Sequence, residues 1–219
     1  MYKNWWKILG AVLVIYSTIA GLLSGVPELP ILYESIRNLY FHVPMWFGMI
    51  VLFSVSVYHS IKFLSNGNPD HDLKAVESIN VGVIYGILGI VTGAIWAKFT
   101  WGQAWSFDVK QNFAAIALLL YFAYLVLRNA IDEEQKRAKI SAIYNIFAFP
   151  MMVVLLFVLP RLADSLHPGN GGNPGFNAYD LDSRMRAVFY PACLGWILIG
   201  YWIYTVLYRV RTLEKKNIL

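Results

Sequence analysis

A single cysteine, Cys193, stands among 219 residues, so no disulfide can close within the chain. Charge is scarce as well. Only 14% of the residues are Asp, Glu, Lys or Arg, against about 25% in an ordinary soluble domain. No Gly-rich run ends in Lys-Ser or Lys-Thr, which excludes a phosphate-cradling loop and with it an ATPase. The polar and apolar residues do not alternate as membrane strands do, so a β-barrel is excluded too. A nucleophile with a neighbouring base and a catalytic carboxylate pair are equally missing, and the chain is expected not to be an enzyme.

What the chain has in abundance is apolar sequence. Hydrophobic residues make up 58% and fall into six runs, at 5–23, 41–64, 79–97, 113–127, 140–159 and 187–208. A bilayer core of roughly 30 Å takes about 20 helical residues, and unpaired backbone cannot face lipid. The expectation is an all-α integral membrane protein of six transmembrane helices, a single polytopic domain over 1–219 in contact with membrane lipid. The connections are too short to bury a core of their own. The fourth run is short for a span, so its helix should begin upstream, near Asp108. Lys3 and Lys7 precede the first run, which is too long for a cleaved leader and is expected to be a retained helix.

Orientation follows from the basic residues. If both termini are cytoplasmic, Arg37, Lys98, Lys110, Arg161, Arg184 and Arg186 face outward, and twice as many Lys and Arg face the cytoplasm. The net charge of +5 is thereby accounted for by topology, and no nucleic-acid partner is needed.

This topology sorts the histidines. His42 stands at the outer start of the second helix, beside Pro44. His59 is roughly 25 Å further down the same helix at 1.5 Å per residue, and His71 falls in a cytoplasmic loop, where a solvated role is expected. His167 lies in the last outer loop, before the Gly- and Asn-rich stretch that begins at Pro168. His42 and His167 therefore share a face. On that face Trp96, Phe99, Trp101, Trp105 and Phe107 crowd into the third connection. At about 100° per residue, Trp101, Trp105, Asp108 and Asn112 fall on one stripe, which predicts a short tryptophan-rich interfacial helix. An aromatic belt would explain the rings, but not a carboxylate in line with them.

A pair of outer imidazoles beside a flat, indole-rich shelf suits a haem, whose iron takes two axial nitrogens and whose ring needs apolar cover. The outer cations are as apt to meet lipid headgroups as the haem carboxylates, and Arg184 is counted among the haem contacts. A bare metal site fits less well, since no cysteine or outer carboxylate cluster accompanies the histidines.

Two segments carry a resemblance. Trp101-Gly102-Gln103-Ala104-Trp105-Ser106-Phe107-Asp108 resembles the W-G-x-x-W-x-W-D signature of the haem-handling proteins of cytochrome c biogenesis. Arg37-Asn38-Leu39-Tyr40-Phe41-His42-Val43-Pro44 resembles the start of the second span in the six-helix CcmC, or haem exporter protein C, family. Phe107 stands where the signature has its third tryptophan, and Lys110 and Gln111 depart from the family's usual run. The resemblance implies that haem b is held as cargo on the periplasmic face of the bacterial inner membrane, with His42 and His167 as axial ligands. Trp101, Gly102, Trp105, Phe107 and Asp108 would form the platform. It also implies delivery to the membrane-anchored haem chaperone CcmE. The implied partners are the ABC-type ATPase CcmA, its membrane subunit CcmB and the small single-span CcmD.

Two rival readings remain at this point. A subunit that moves haem through its own helices would want charges lining the spans, and 79–97, 140–159 and 187–208 hold none. A haem b electron-transfer subunit would want histidines close together within the spans, and His42 and His59 are far apart.

Overall fold

The computed structural model describes residues 4–29, 31–167 and 181–218. Among them all regular structure is helical, and six helices are long and apolar enough to cross a membrane. They are α1 (Trp5–Leu23), α2 (Leu39–Asn66), α3 (Pro69–Trp101), α4 (Val109–Asn129), α5 (Glu134–Val153) and α6 (Ser183–Ile218). A 3-10 segment, Tyr33–Asn38, leads into α2, and α5 is prolonged by a π segment, Val154–Val158, and a 3-10 turn, Leu159–Arg161. The end of the bundle that holds His42 is here termed the upper end.

Most helices outrun the apolar stretches because polar residues continue them. α3 begins at Pro69, whose fixed φ suits a first helical position, with the Asn68 side chain accepting from the Asp70 amide. The turn before it is only Gly67 and Asn68, with Gly67 left-handed at φ 67°. The connection between the second and third runs, 65–78, where His71 was expected in a loop, is thus largely the base of α3. α4 starts where its short apolar run required, with Asp108 as N-cap accepting from the Lys110 amide. The expected interfacial helix is corrected. Gly102 ends α3 in the left-handed conformation at φ 82°, and 102–108 runs as a loop. A wheel drawn through that turn has no physical axis, so the predicted stripe does not exist as a continuous face.

The α2–α3 hairpin is held by a stripe of glycines on α3 that receives large side chains from α2. A Cβ on Gly82 would stand 2.4 Å from Phe53, on Gly86 3.0 Å from Met49, on Gly89 2.8 Å from Trp46 and on Gly93 2.7 Å from His42. Spacings of four, three and four residues keep the stripe on one helical face. The bundle's middle is closed by aromatic packing, with Phe53 stacked on Tyr121 at 3.5 Å between centroids and Tyr85 donating to the Trp196 carbonyl. α1 packs on α6 through Gly10 and Gly195, small residues that let backbones approach.

Candidate functional site

At the upper end α2, α3, α4 and the irregular end of α5 splay around a cavity of about 260 Å³. Its walls are mainly apolar, with Ile50, Ile90, Ala94, Ala114 and Leu156 among them. Both upper histidines, His42 and His167, line it. Residues 125 positions apart in sequence thus meet at one space, and each imidazole is oriented by a second group.

His42 lies in the first turn of α2, which begins two residues before the apolar run. Its Nδ1 is 3.1 Å from Thr92 Oγ1, and the Thr92 hydroxyl donates to the Leu88 carbonyl at 2.7 Å. The hydroxyl proton being used, Nδ1 is the donor and Nε2 carries the lone pair; the tautomer is assigned from this network. The indole Nε1 of Trp46, one turn along α2, donates to that Nε2 at 3.3 Å.

His167 is held by Asp108. Its Nδ1 donates to Asp108 Oδ1 at 2.8 Å, and the same carboxylate accepts from the Leu166 amide at 2.7 Å and the Ser165 hydroxyl at 3.1 Å. Asp108 therefore fastens the segment before α6 to the start of α4. Burial would raise the Asp108 carboxyl, but the bonds from His167, Leu166 and Ser165 outweigh it and hold the group well below the usual carboxylate range. Carboxylate–imidazole pairs of this kind fix the tautomer and raise the basicity of the other nitrogen where histidines bind metals.

The signature segment divides its labour. Trp105 lines the cavity. Trp101 lies edge-on to the His167 ring at 4.8 Å between centroids and to Trp96 at 4.7 Å, so it walls in the imidazole instead of lining the cavity. Gly102 turns the chain. Phe107, at φ 56°, is 78% exposed and lies outside the cavity lining. Gln111 staples the loop, its Oε1 accepting from the Ser106 amide and hydroxyl and its Nε2 donating to the Ala104 carbonyl.

Of the outer cations, Lys110 and Arg161 line the cavity. Arg184 does not. It is exposed and paired with Asp182 at 3.1 Å, outside the cavity lining. Arg37 is engaged with the end of α1, donating to the carbonyls of Gly21 and Ser24 and pairing with Glu34. The stretch from Pro168 to Gly175 lies outside the described residues.

Sequence reasoning missed Trp46, Thr92 and the glycines behind them. The signals were present in the His-x-x-x-Trp spacing of α2 and the 4-3-4 glycine spacing of α3. It also undervalued His71, which lies in the first turn of α3 with its Nδ1 3.0 Å from Nδ1 of His59. His59 in turn reaches Tyr204, at 3.4 Å. This pair belongs to the opposite end of the bundle.

Comparison with known proteins gives a consistent picture. The sequence pattern of the family described as "Heme exporter protein C" matches residues 1–218. The chain is 25% identical over 205 residues to the Heme exporter protein C of Haemophilus influenzae, covering 89% of this chain and 80% of that protein. It is 25% identical over 220 residues to the Heme exporter protein C of Paracoccus denitrificans, covering 97% and 86% respectively. A shorter match, 40% identical over 76 residues, links it to the cytochrome c biogenesis protein CcsA of Prochlorococcus marinus, over 35% of this chain and 24% of that one.

Proposed function

We infer the function from two premises: the chain belongs to the Heme exporter protein C family, and its upper end presents two oriented imidazoles on one cavity. It is a multi-pass membrane protein with a role in haem handling for cytochrome c biogenesis. Beyond that, we read the cavity as the haem site and the upper end as periplasmic, in the bacterial inner membrane. The protein binds haem b there as cargo and passes it to a membrane-anchored chaperone of the CcmE kind. It does so without an enzymatic step of its own, alongside an ATPase and membrane subunits of the CcmA, CcmB and CcmD kinds.

The carrying observation is that Thr92 and Asp108 engage Nδ1 of His42 and His167, so that the lone pair of each ring is on Nε2, the atom we read as the one offered to iron. Trp105 and the aliphatic walls cover apolar surface, and Lys110 and Arg161 are placed to meet carboxylates. The alternative of passage through the protein's own helices gains little support. The deepest α2 residue on the cavity is Ile50, and below it Phe53 and Tyr121 are stacked and fully buried.

The test is the visible spectrum of the detergent-purified chain after hemin addition. Wild type should give a six-coordinate spectrum, which the His42→Ala, His167→Ala double variant should lose and His71→Ala should keep. Full retention in the double variant would sink the ligand assignment. A second arm separates handover from transport: vesicles with the upper end outward should load external hemin without ATP. Loading only from the lumen would favour a through-membrane path.

A further inference from the structure

Resting on the haem reading above, we infer that Trp46 competes with the iron for His42 and so sets how readily the cargo leaves. The neutral imidazole has one in-plane lone pair, and at His42 it sits on Nε2 because Nδ1 donates to Thr92. Trp46 already uses that lone pair. Its indole N–H, a donor only, reaches Nε2 at 3.3 Å. Nitrogen cannot serve the indole hydrogen and iron together. Coordination at His42 forms the iron–nitrogen bond and breaks the indole hydrogen bond, with the hydrogen staying on the indole; release restores it.

The contact is built in by the fold. Trp46 stands four residues after His42 on the same face of α2. Beneath the indole, Gly89 supplies the space: a Cβ there would stand 2.8 Å from Trp46 Cε2 and 3.2 Å from its Nε1. Gly93 does the same for His42, where a Cβ would stand 2.7 Å from Cε1. Two glycines one turn apart thus set ring and donor together, and both side chains line the cavity.

His167 has the opposite arrangement. Asp108 holds its Nδ1 and raises the basicity of the ring. The two ligands are therefore unequal: His167 holds and His42 releases. A carrier that must give up its cargo gains from one coordination bond that the protein itself can replace.

The experiment measures hemin release from the full-length, detergent-purified chain into excess apomyoglobin, followed at the Soret band. Trp46→Phe keeps a ring and removes the donor, and should slow release about two- to tenfold, the range of one net hydrogen bond. Trp46→Leu removes the same donor with a different side chain, and should shift release in the same direction. It also serves if Trp46→Phe does not fold. Unchanged or faster release in Trp46→Phe, with wild type loading normally, overturns the inference alone. Wild type that takes up no hemin sinks the haem reading and this inference with it.

Discussion

The two ends of the bundle are tied by different means. At the lower end, charges on different helices meet directly. Arg128 on α4 grips Asp72 on α3 with two hydrogen bonds of 2.8 and 2.5 Å, both side chains 12% exposed. Tyr208 on α6 donates to Asp70 on α3, which also pairs with Lys74. Arg211 on α6 reaches Glu77 on α3 at 3.5 Å, and Lys215 on α6 meets Glu134 on α5. At the upper end one carboxylate, Asp108, gathers a loop segment and a histidine by hydrogen bonds around open space. The lower end is a frame that resists opening. The upper end is a rim whose tie runs through a loop segment instead of from helix to helix.

The sharpest way to break this contrast is at the lower end. Asp72→Ala leaves the buried Arg128 guanidinium without its carboxylate, and should cost about 3 kcal/mol of stability. A thermal-shift measurement should show the loss, while hemin affinity of the folded fraction stays near wild type. An Asp72→Ala variant with intact stability would remove the frame from the account.

Asp108→Asn should do the reverse. It weakens charge-assisted bonds of about 1.5–3 kcal/mol, so hemin affinity should fall roughly ten- to a hundredfold, with a smaller fall in melting temperature than Asp72→Ala gives. Equal losses in both measurements would mean that rim and frame are one unit.

Gly93→Ala probes the wall behind His42. The added Cβ must displace the imidazole or the backbone, an overpacking cost of about 1–3 kcal/mol. Weaker hemin binding is expected, whereas Gly67→Ala, in the open turn at the other end, should leave binding unchanged and cost only the strain of its left-handed backbone. Hemin titration of the two variants decides it.

The smallest expected effect is one of pH. The Asp108 carboxyl lies below its ordinary 3.8 in the folded protein. Its contribution is fully present above that ordinary value and is lost as pH falls through the lower folded one. Between pH 7 and 5 the tie to Ser165, Leu166 and His167 should therefore not loosen, by amide exchange of Leu166. Rising exchange within that interval would mean that another group controls the rim.

Six spans and the Asp108 start of α4 were legible because burial in lipid leaves long apolar runs, and because the fourth run is too short to span without residues upstream. That His42 and His167 share one end followed from topology; that both line one cavity comes from the fold. Other features were not legible. The helical wheel failed at Gly102, where a single left-handed residue cancels the periodicity on which the stripe depended. Arg184 and Arg37 looked equivalent to Lys110 and Arg161, because side-chain direction at a helix end is decided by neighbours far away in sequence. His71 was discounted because the polar 65–78 segment was taken for a loop, when its composition also suits the capped base of a long helix.

The two-residue turn at Gly67 and Asn68 has a consequence for how the protein is made. A pair of apolar helices joined so tightly can enter the bilayer together, the interlocked glycines and rings closing as they go. His42, Trp46 and Thr92 would then be in place while the ribosome is still synthesising α4 and α5. His42 and its neighbours are assembled first, and His167 joins the cavity only after α5 is made.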